Sequence, residues 1–310
     1  MKLIDAGILT TIQDAGRRGF QKFGVPVCGA MDLFSFSVAN ALAQNDLNDA
    51  ALEIHSSIEF ENDTPALIAI TGADARVRVN ERTMPQWTSL FARAGSRVEI
   101  APTRGGWVYC AIHGGIDVPR VMGSRSSYLR GNFGGLDGRA LIAGDELRVG
   151  DARVSDLVSA AGKGVSEHVS EWFKRETIAR VILGPHENYF SREAIDVLTR
   201  NEFVLSENAD RMGYRLTSPL HPSPYRGGEG GEVISQGVPL GAIQIPRDGN
   251  PIVLMADHQT TGGYPIIATV ISADIGLIAQ CAAGEKIKFE NVDVDRAQEA
   301  WKEMWRVVEK

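Results

Sequence analysis

A turn rich in reactive side chains lies near the C-terminal end of the sequence. It reads DHQTTGGYP, residues 257–265, and joins two apolar runs at 251–255 and 266–271. Its reactive side chains are an acid, a base, an amide, two hydroxyls and a phenol: Asp257, His258, Gln259, Thr260, Thr261 and Tyr264. We expect Gly262-Gly263 to take positive φ and to let the backbone approach a ligand. The pattern fits a binding or catalytic loop, and it fits equally a turn whose polar groups satisfy its own backbone.

His258 is the best candidate for proton transfer in this turn. An imidazole with an ordinary pKa of about 6.5 changes charge near neutral pH, which suits a general acid or base. The other histidines stand alone in the sequence, and we expect them to be structural. His186 has no second histidine at helical spacing and no Cys-x2-Cys pair occurs, so the sequence predicts no dedicated metal site.

A second group of candidates lies near the N-terminus, in the segments TTIQDAGRRG and GVPVCGAMD. Gln13, Asp14, Arg17 and Asp32 can line one pocket there. The alternative is that Asp14 caps a turn and Arg17 forms a surface ion pair, and the residues alone favour this alternative.

Two more segments offer guanidinium groups to an anion. Ser124 and Arg125 lie in the segment GSRSS and can cradle an anion, although a plain serine-rich turn is the favoured interpretation. Arg211, in the segment DRMGYR, can grip a carboxylate or phosphate. A structural ion pair between Arg211 and Asp210 explains that segment equally well.

The sequence contains 33 glycines, against roughly 22 expected for this length, which indicates many turns. We therefore expect short strands joined by turns to position these groups. The apolar or alternating runs predict strands at 67–71, 75–79, 97–100, 107–112, 180–183, 252–255 and 266–271. Few helices are predicted. Asp32 and Ser191 are N-cap candidates, and residues 297–308 carry one apolar stripe that should pack both of its tryptophans. The sequence therefore predicts a mainly β protein with a C-terminal amphipathic helix.

A repeated pattern suggests two related β domains. A glycine followed by Ser, Asp or Glu and an alternating strand occurs at 95–100, 144–149 and 284–289. Residues 160–164, AAGKG, read as a linker. We therefore expect an N-terminal domain at 1–160 and a C-terminal domain at 161–310.

Composition excludes several functional classes. The net charge of −7 and the lack of a basic run argue against binding to nucleic acid or to an anionic membrane. Cys28, Cys110 and Cys281 are odd in number and widely spaced, which is typical of reduced thiols in a cytoplasmic protein. The N-terminal segment does not read as a signal peptide, and polar residues interrupt the apolar run 265–284.

The order of motifs along the chain resembles one protein family over nearly its whole length. The motifs are LTTIQDAGRRGF, GVPVCGAMD, ANALAQN, AALEI, HGGIDVP, GSRSS, ADRMGYRL, GVPLGAIQIPRDGNPIVLMADHQTTGGYP and a closing AGE strand. The family is variously called allophanate hydrolase subunit 2, KipI antagonist, biotin-dependent carboxyltransferase-like protein, and the C subunit of prokaryotic 5-oxoprolinase. The chain departs from the usual pattern at Cys28, where glycine is frequent, and at Gln236, where an acid is frequent.

The resemblance implies a cyclophilin-like β-barrel architecture with two packed β domains. It also implies companion proteins in a complex, namely a KipI-like B subunit and an A subunit. ATP is the implied cofactor, bound by the complex or by this chain, although no Gly-x4-Gly-Lys-Ser/Thr loop occurs in the sequence.

For a 5-oxoprolinase, the resemblance implies that ATP phosphorylates the lactam oxygen of 5-oxo-L-proline and that water then opens the ring to L-glutamate. The residues assigned to proton transfer are Asp14, Asp32 and His258. The residues assigned to substrate binding are Gln13, Arg17, Ser124, Arg125, Arg211, Gln259, Thr260, Thr261 and Tyr264.

Two other functions fit the same family. A carboxyltransferase would move carboxyl from carboxybiotin to urea or a related amide. Biotin would then come from another protein, because Asp32 follows Met31 where a biotinylation site needs lysine. A KipI antagonist would instead bind a kinase inhibitor without catalysis, which predicts a large apolar docking surface.

Overall fold

β-Strands dominate both halves of the chain. The computed structural model describes residues 1–150, 154–166, 169, 177–217, 225 and 231–308. The chain divides into two compact units, one formed by residues 1–17 and 28–173, the other by residues 18–27 and 174–310. The predicted mainly β class is confirmed. The division lies C-terminal to the boundary that the sequence predicts at residue 160.

The first unit is built from two antiparallel sheets. Its strands are β1 (Lys2–Asp5), β2 (Thr10–Gln13), β3 (Ala51–Ile54), β4 (Ile58–Glu61), β5 (Ala66–Gly72), β6 (Ala75–Val79), β7 (Arg82–Met84), β8 (Ser89–Ala92), β9 (Arg97–Pro102) and β10 (Val108–Ile112). The order in one sheet is β1-β4-β9-β6-β7, and the order in the other is β2-β3-β10-β5-β8. Apolar side chains of both sheets, such as Phe60 from β4 and Ile70 from β5, form one buried core.

Helix α1 (Leu33–Leu42) packs on β5 and β10 and begins at Asp32. The Asp32 carboxylate accepts hydrogen bonds from the backbone N–H of Ser35 at 3.1 Å and from its hydroxyl at 2.5 Å, so the predicted N-cap is confirmed. The Tyr109 hydroxyl accepts from the Asp32 backbone N–H at 2.8 Å and donates to the Glu53 carboxylate at 2.8 Å. Burial raises the pKa of Tyr109 well above its usual value, which keeps this phenol protonated.

Residues 160–164 belong to the first unit. They follow helix α2 (Val154–Ala160), which contacts β5 and β8. The Ser89 hydroxyl donates to the Ala160 carbonyl at 2.8 Å, and the Ser89 N–H donates to the Lys163 carbonyl at 2.8 Å. The interpretation of this segment as a linker is wrong, because its backbone groups are paired with β8.

The second unit contains a closed seven-stranded barrel. The described strands of this unit are β11 (Thr177–Leu183), β12 (Glu202–Leu205), β13 (Gly213–Thr217), β14 (Gln236–Gly237), β15 (Ala242–Gln244), β16 (Ile252–Leu254), β17 (Thr261–Gly262), β18 (Ile266–Val270) and β19 (Lys286–Asn291). The barrel order is β11-β18-β15-β16-β13-β12-β19, and β14 and β17 pair separately. A parallel pairing of β11 with β19 closes the barrel, which leaves it without a free edge.

Three helices are described in the second unit: α3 (Arg192–Arg200), α4 (Ile275–Ala279) and α5 (Val294–Val308). The Ser191 hydroxyl accepts from the Ala194 N–H at 3.1 Å, so the second predicted N-cap is also confirmed. In α5, Met304 is buried but Trp301 is 36% exposed and lies edge-on to Trp305. Trp301 lines a groove together with Ile182 and Pro239, and Trp305 is half-buried, so both tryptophans pack in part and neither is fully buried. None of the helices in the described ranges has the length and apolar composition needed to cross a membrane.

All three cysteines are buried and none forms a disulfide. Cys28 has φ of 57°, a left-handed conformation that glycine adopts more readily than other residues. Burial raises the pKa of Cys110 to about 12. The thiolate, which is the nucleophilic form, is therefore scarce at Cys110 near neutral pH.

We expect the Cys110 thiol to resist iodoacetamide in the native protein at about pH 8 and to react after unfolding in urea. Mass spectrometry of the labelled peptides measures both rates. Native labelling of Cys110 as fast as that of the unfolded chain would contradict its burial in β10.

Candidate functional site

A buried ion pair anchors the turn that follows β16. Arg211 donates from Nε and Nη2 to the two carboxylate oxygens of Asp257, each at 2.9 Å. Both side chains are buried, and a bidentate pair of this kind fixes orientation as well as charge. The alternative ion pair between Arg211 and Asp210 is wrong, because the Asp210 carboxylate accepts the backbone N–H groups of Met212 and Gly213 instead.

His258 has one ring nitrogen bonded to the backbone and one without a hydrogen-bond partner among the described residues. Its Nδ1 lies 2.6 Å from the carbonyl oxygen of Gln259. A carbonyl oxygen can only accept, so Nδ1 carries the proton and Nε2 keeps its lone pair. Burial lowers the pKa of His258, against the opposing effects of the Gln259 carbonyl and the Asp257 carboxylate. Since no hydrogen bond to Nε2 is present among the described residues, the geometry suits this atom to accept a proton.

Gln259 and Gln244 form a pair of side-chain amides beside this turn. Gln259 Nε2 donates to Gln244 Oε1 at 3.2 Å. Gln244 Nε2 is buried and has no hydrogen-bond partner within the described part of the chain. A buried amide N–H2 without an acceptor is costly, and it can donate to a carbonyl oxygen of a ligand.

Gly262 has no side chain, so the Gln244 amide can lie close to its backbone. A Cβ at this position would lie 2.6 Å from Gln244 Nε2. Neither Gly262 nor Gly263 has positive φ, so that expectation is wrong. A side chain at this position would displace the Gln244 amide.

The remaining residues of the turn are more open. Thr261 and Gly262 form β17, which pairs antiparallel with β14. The Thr260 carbonyl accepts from the Val238 N–H at 3.1 Å. Thr261 is exposed and Tyr264 is 41% exposed. The buried polar residues of this site are therefore Arg211, Asp257, His258 and Gln244, and Gln259 is half-buried.

In the first unit, the Asp14 carboxylate forms hydrogen bonds with a serine-rich segment that is distant in sequence. Its Oδ1 accepts from the hydroxyls of Ser124 at 2.7 Å and Ser126 at 2.5 Å and from the Gly16 N–H at 2.8 Å. Its Oδ2 accepts from the Arg125 N–H at 2.6 Å. Asp14 is buried. The predicted turn cap is confirmed through Gly16, and the structure adds that Ser124 contacts Asp14.

Arg125 turns away from Asp14 and pairs with another carboxylate. Its Nη2 lies 2.8 Å from Asp117 Oδ1, and its Nε donates to the Val118 carbonyl at 2.9 Å. The side chain lines a cavity of about 500 Å³ that also contains Arg120 and Arg148. Asp117 thus balances the charge of Arg125, whereas Ser124 donates its hydroxyl to Asp14.

Arg17 is buried, which excludes the surface ion pair suggested by its sequence context. It is 1% exposed, and its guanidinium lies over the ring of Phe133 at 4.9 Å. Nη2 donates to the Ser126 carbonyl. Nearby, Gln13 Nε2 donates to the Thr11 hydroxyl at 3.0 Å and to the Ser127 carbonyl at 3.3 Å. Gln13 and Arg17 are therefore both tied to the same pair of serines.

Three further residues of these sites were not assigned from the sequence: Gln244, Ser126 and Ser127. Gln244 ends the strand β15, within the buried run Ala242 to Ile245, and a single amide in an apolar run is a recognisable signal. Ser126 and Ser127 lie in the noted serine-rich segment, but their role depends on Asp14, Gln13 and contacts more than a hundred residues away in sequence. No local pattern marks such contacts.

Comparison with known proteins gives a match over most of the chain. The family described as "Carboxyltransferase domain, subdomain A and B" matches residues 23–291. The C subunit of the 5-oxoprolinase of Escherichia coli (strain K12) is 39% identical, over 100% of this chain and 96% of that protein. The C subunit of the 5-oxoprolinase of Haemophilus influenzae is 33% identical, over 95% of this chain and 92% of that protein.

Longer proteins match the same region. The crystal structure of the urea amidolyase of Kluyveromyces lactis superposes with a TM-score of 0.85 at 26% identity, covering 99% of this chain and 19% of that one. The urea amidolyase of Saccharomyces cerevisiae is 34% identical over 91% of this chain and 16% of its own length. The chain thus corresponds to about a fifth or less of these proteins.

We expect Asp14→Ala to lower the free energy of unfolding by about 3 kcal/mol or more, because it leaves several buried donors without an acceptor. Urea unfolding followed by tryptophan fluorescence measures the loss. Asp5→Ala is a matched control, since the exposed Asp5 carboxylate accepts only the Gly7 N–H, at 2.9 Å, and its loss should cost about 0.5 kcal/mol. Equal effects of the two substitutions would contradict the central role of Asp14.

Proposed function

The chain belongs to the family of carboxyltransferase domains with subdomains A and B, and from this membership we propose that it is the C subunit of an ATP-dependent 5-oxoprolinase. The complex hydrolyses 5-oxo-L-proline to L-glutamate with cleavage of ATP. The observation that carries the proposal is the 39% identity to the corresponding 5-oxoprolinase chain of Escherichia coli over the full length of both proteins. The matched relatives of similar length both bear this name, whereas the urea amidolyases are several times longer.

The companions in this proposal are a KipI-like B subunit and an A subunit. The names of the relatives, which call each of them one subunit of 5-oxoprolinase, support a multi-subunit enzyme. ATP, bound by the assembled complex, would supply the phosphoryl group that activates the lactam carbonyl carbon toward water; the ring C–N bond breaks, the ring nitrogen takes up a proton, and phosphate is released as glutamate forms. We assign no residue of this chain to the nucleotide, because the sequence has no phosphate loop of the common type.

We assign proton transfer in this chain to His258. Its Nε2 lone pair can take a proton from the water that attacks the ring carbon, and the Nδ1 bond to the Gln259 carbonyl holds the required tautomer. The Asp257–Arg211 ion pair anchors the turn, and the charges of these two side chains balance each other. We expect Thr260, Thr261 and Tyr264 to complete the binding surface around the same turn.

The two amides beside His258 suit a substrate that is itself an amide. Among the described residues Gln244 Nε2 has no hydrogen-bond partner, and Gln244 Oε1 accepts from Gln259 Nε2. A lactam offers a carbonyl oxygen as acceptor, which this donor can bind and orient. Asp14 and Asp32 are better suited to positioning than to proton transfer, because their oxygens already accept several hydrogen bonds.

Carboxyl transfer to urea or a related amide is the second candidate. The family name and the match to yeast urea amidolyase support it. Biotin would then be carried by another protein, and the same amides would orient urea. The match over nearly the full length of the 5-oxoprolinase relatives favours the lactam hydrolase.

The decisive experiment measures glutamate release from 5-oxoproline and ATP by the chain co-purified with its companion subunits. Each protein of the complex is omitted in turn, and we expect activity to vanish without this chain. A folded, assembled complex that releases no glutamate would refute the proposal. Carboxylation of urea with bicarbonate, ATP and a biotin carrier would then test the second candidate.

We expect His258→Gln to lower kcat of the complex about a hundredfold, since it removes the proton acceptor. His113→Gln is a matched control, because His113 Nδ1 also contacts a backbone carbonyl, that of Ala43, at 2.8 Å. The control should retain kcat. An equal loss in both variants would count against a catalytic role for His258.

The pH profile gives an independent test of His258. The neutral imidazole is the active form, and burial lowers its pKa from 6.5, so activity should persist below pH 6.5 and fall only as the pH passes through the lowered pKa. The log of kcat/KM plotted against pH should therefore show an acid limb below pH 6.5 that disappears in His258→Gln. An acid limb unchanged by the substitution would assign it to another group.

A further inference from the structure

Three arginines of the first unit line one cavity of about 500 Å³, a volume typical of sites for small molecules. They are Arg120, Arg125 and Arg148, and the acids in the same lining are Asp117 and Glu146. These charged side chains leave the cavity with one net positive charge, although the whole chain has a net charge of −7. A positive cavity in an acidic protein favours an anionic ligand.

Two of the three guanidinium groups have no partner within the described ranges. The side chains of Arg120 and Arg148 are exposed, and neither forms an ion pair or a hydrogen bond there. Arg125 differs, because its Nη2 lies 2.8 Å from Asp117 Oδ1 and its Nε donates to the Val118 carbonyl. Arg120 and Arg148 therefore offer two planar forks, each able to bind one carboxylate through two parallel hydrogen bonds.

Backbone groups hold both arginines at the cavity. The Asp117 N–H donates to the Arg148 carbonyl at 2.9 Å, which keeps these two segments side by side. Arg120 lies in the loop between Val118 and Arg125, and the hydrogen bond from Arg125 Nε to the Val118 carbonyl, at 2.9 Å, joins the ends of that loop. The wall of the cavity is thus in place before a ligand arrives, which lowers the cost of binding.

The carboxylate of Glu146 narrows the choice of ligand. It is exposed, lines the same cavity and has no partner in the described part of the chain. The preceding acid, Asp145, is by contrast paired with Arg139. Glu146 would repel a ligand that carries only negative charges, such as phosphate, and it would attract a ligand that also carries a cationic group.

We propose that this cavity binds an amino acid that has a second carboxylate. Arg120 and Arg148 each bind one carboxylate, and Glu146 accepts hydrogen bonds from the α-ammonium group. Two carboxylates and one ammonium leave the ligand with a single negative charge, which balances the single positive charge of the cavity. The identity of the ligand rests on the proposed function, because L-glutamate, the product of that reaction, belongs to this class. All lining residues belong to the first unit, so the site is additional to the His258 turn.

The test is isothermal titration calorimetry of the assembled complex with L-glutamate, without ATP or 5-oxoproline. We expect Arg120→Gln and Arg148→Gln each to weaken binding at least tenfold. Arg93→Gln is a matched control that should leave binding unchanged, since Arg93 is also exposed in the first unit but does not line this cavity. L-glutamine, which has one carboxylate, should bind at least tenfold more weakly than L-glutamate.

Glutarate, the dicarboxylate without an amino group, isolates the role of Glu146. Glu146→Gln should weaken the binding of L-glutamate and strengthen that of glutarate, because it removes both an attraction for the ammonium and a repulsion of the carboxylates. Melting temperatures should not change, since every substituted side chain is exposed. If one variant fails to fold, the other variants and the ligand series decide. Tighter binding of L-glutamate by Glu146→Gln, or its displacement by an equal concentration of inorganic phosphate, would overturn the proposal.

A product can also bind where it is formed, so the two sites must be told apart. His258→Gln should retain the binding of L-glutamate, and binding that depends on His258 but not on Arg120 or Arg148 would overturn the proposal. A complex that binds L-glutamate through both arginines but releases none from 5-oxoproline would sustain this site and refute the 5-oxoprolinase. Hydrolase activity without arginine-dependent binding would do the reverse.

Discussion

The carboxylate of Asp14 joins two parts of the first unit that lie more than a hundred residues apart in sequence. It accepts the hydroxyls of Ser124 and Ser126 and the backbone N–H of Arg125, in a place where unmatched polar groups would be costly. The carbonyls of Ser126 and Ser127 then receive Arg17 and Gln13. A single buried acid therefore holds the segment whose carbonyls accept from Arg17 and Gln13.

The second unit uses its charges differently. Its acid and its arginine, Asp257 and Arg211, form an ion pair, and the neighbouring His258 donates from Nδ1 to the Gln259 carbonyl. This arrangement avoids an unpaired charge beside His258, which would shift its pKa according to sign. In the first unit the buried guanidinium of Arg17 packs on Phe133 and donates to the Ser126 carbonyl, whereas in the second unit the buried guanidinium of Arg211 is paired with a carboxylate.

Features that depend on neighbours in sequence could be predicted, and those that depend on distant contacts could not. The strand at 75–79 coincides with β6, and the caps at Asp32 and Ser191 are present, because alternation and capping are local properties. The burial of Arg17 depends on Phe133 and Ser126, and the partner of Arg211 is Asp257 rather than the adjacent Asp210. Gly262 was noted for its backbone freedom, but its actual constraint is the side chain of Gln244, which belongs to another strand.

The closure of the barrel has a consequence for how the protein is made. The closing pair joins Thr177 of β11 to Ile287 of β19. During synthesis, β11 therefore emerges about 110 residues before its partner β19. At ribosomal rates of about 5–20 residues per second, that wait lasts on the order of ten seconds. Throughout it, β11 exposes an unpaired edge to other nascent chains, and association with a chaperone would be most valuable in this interval.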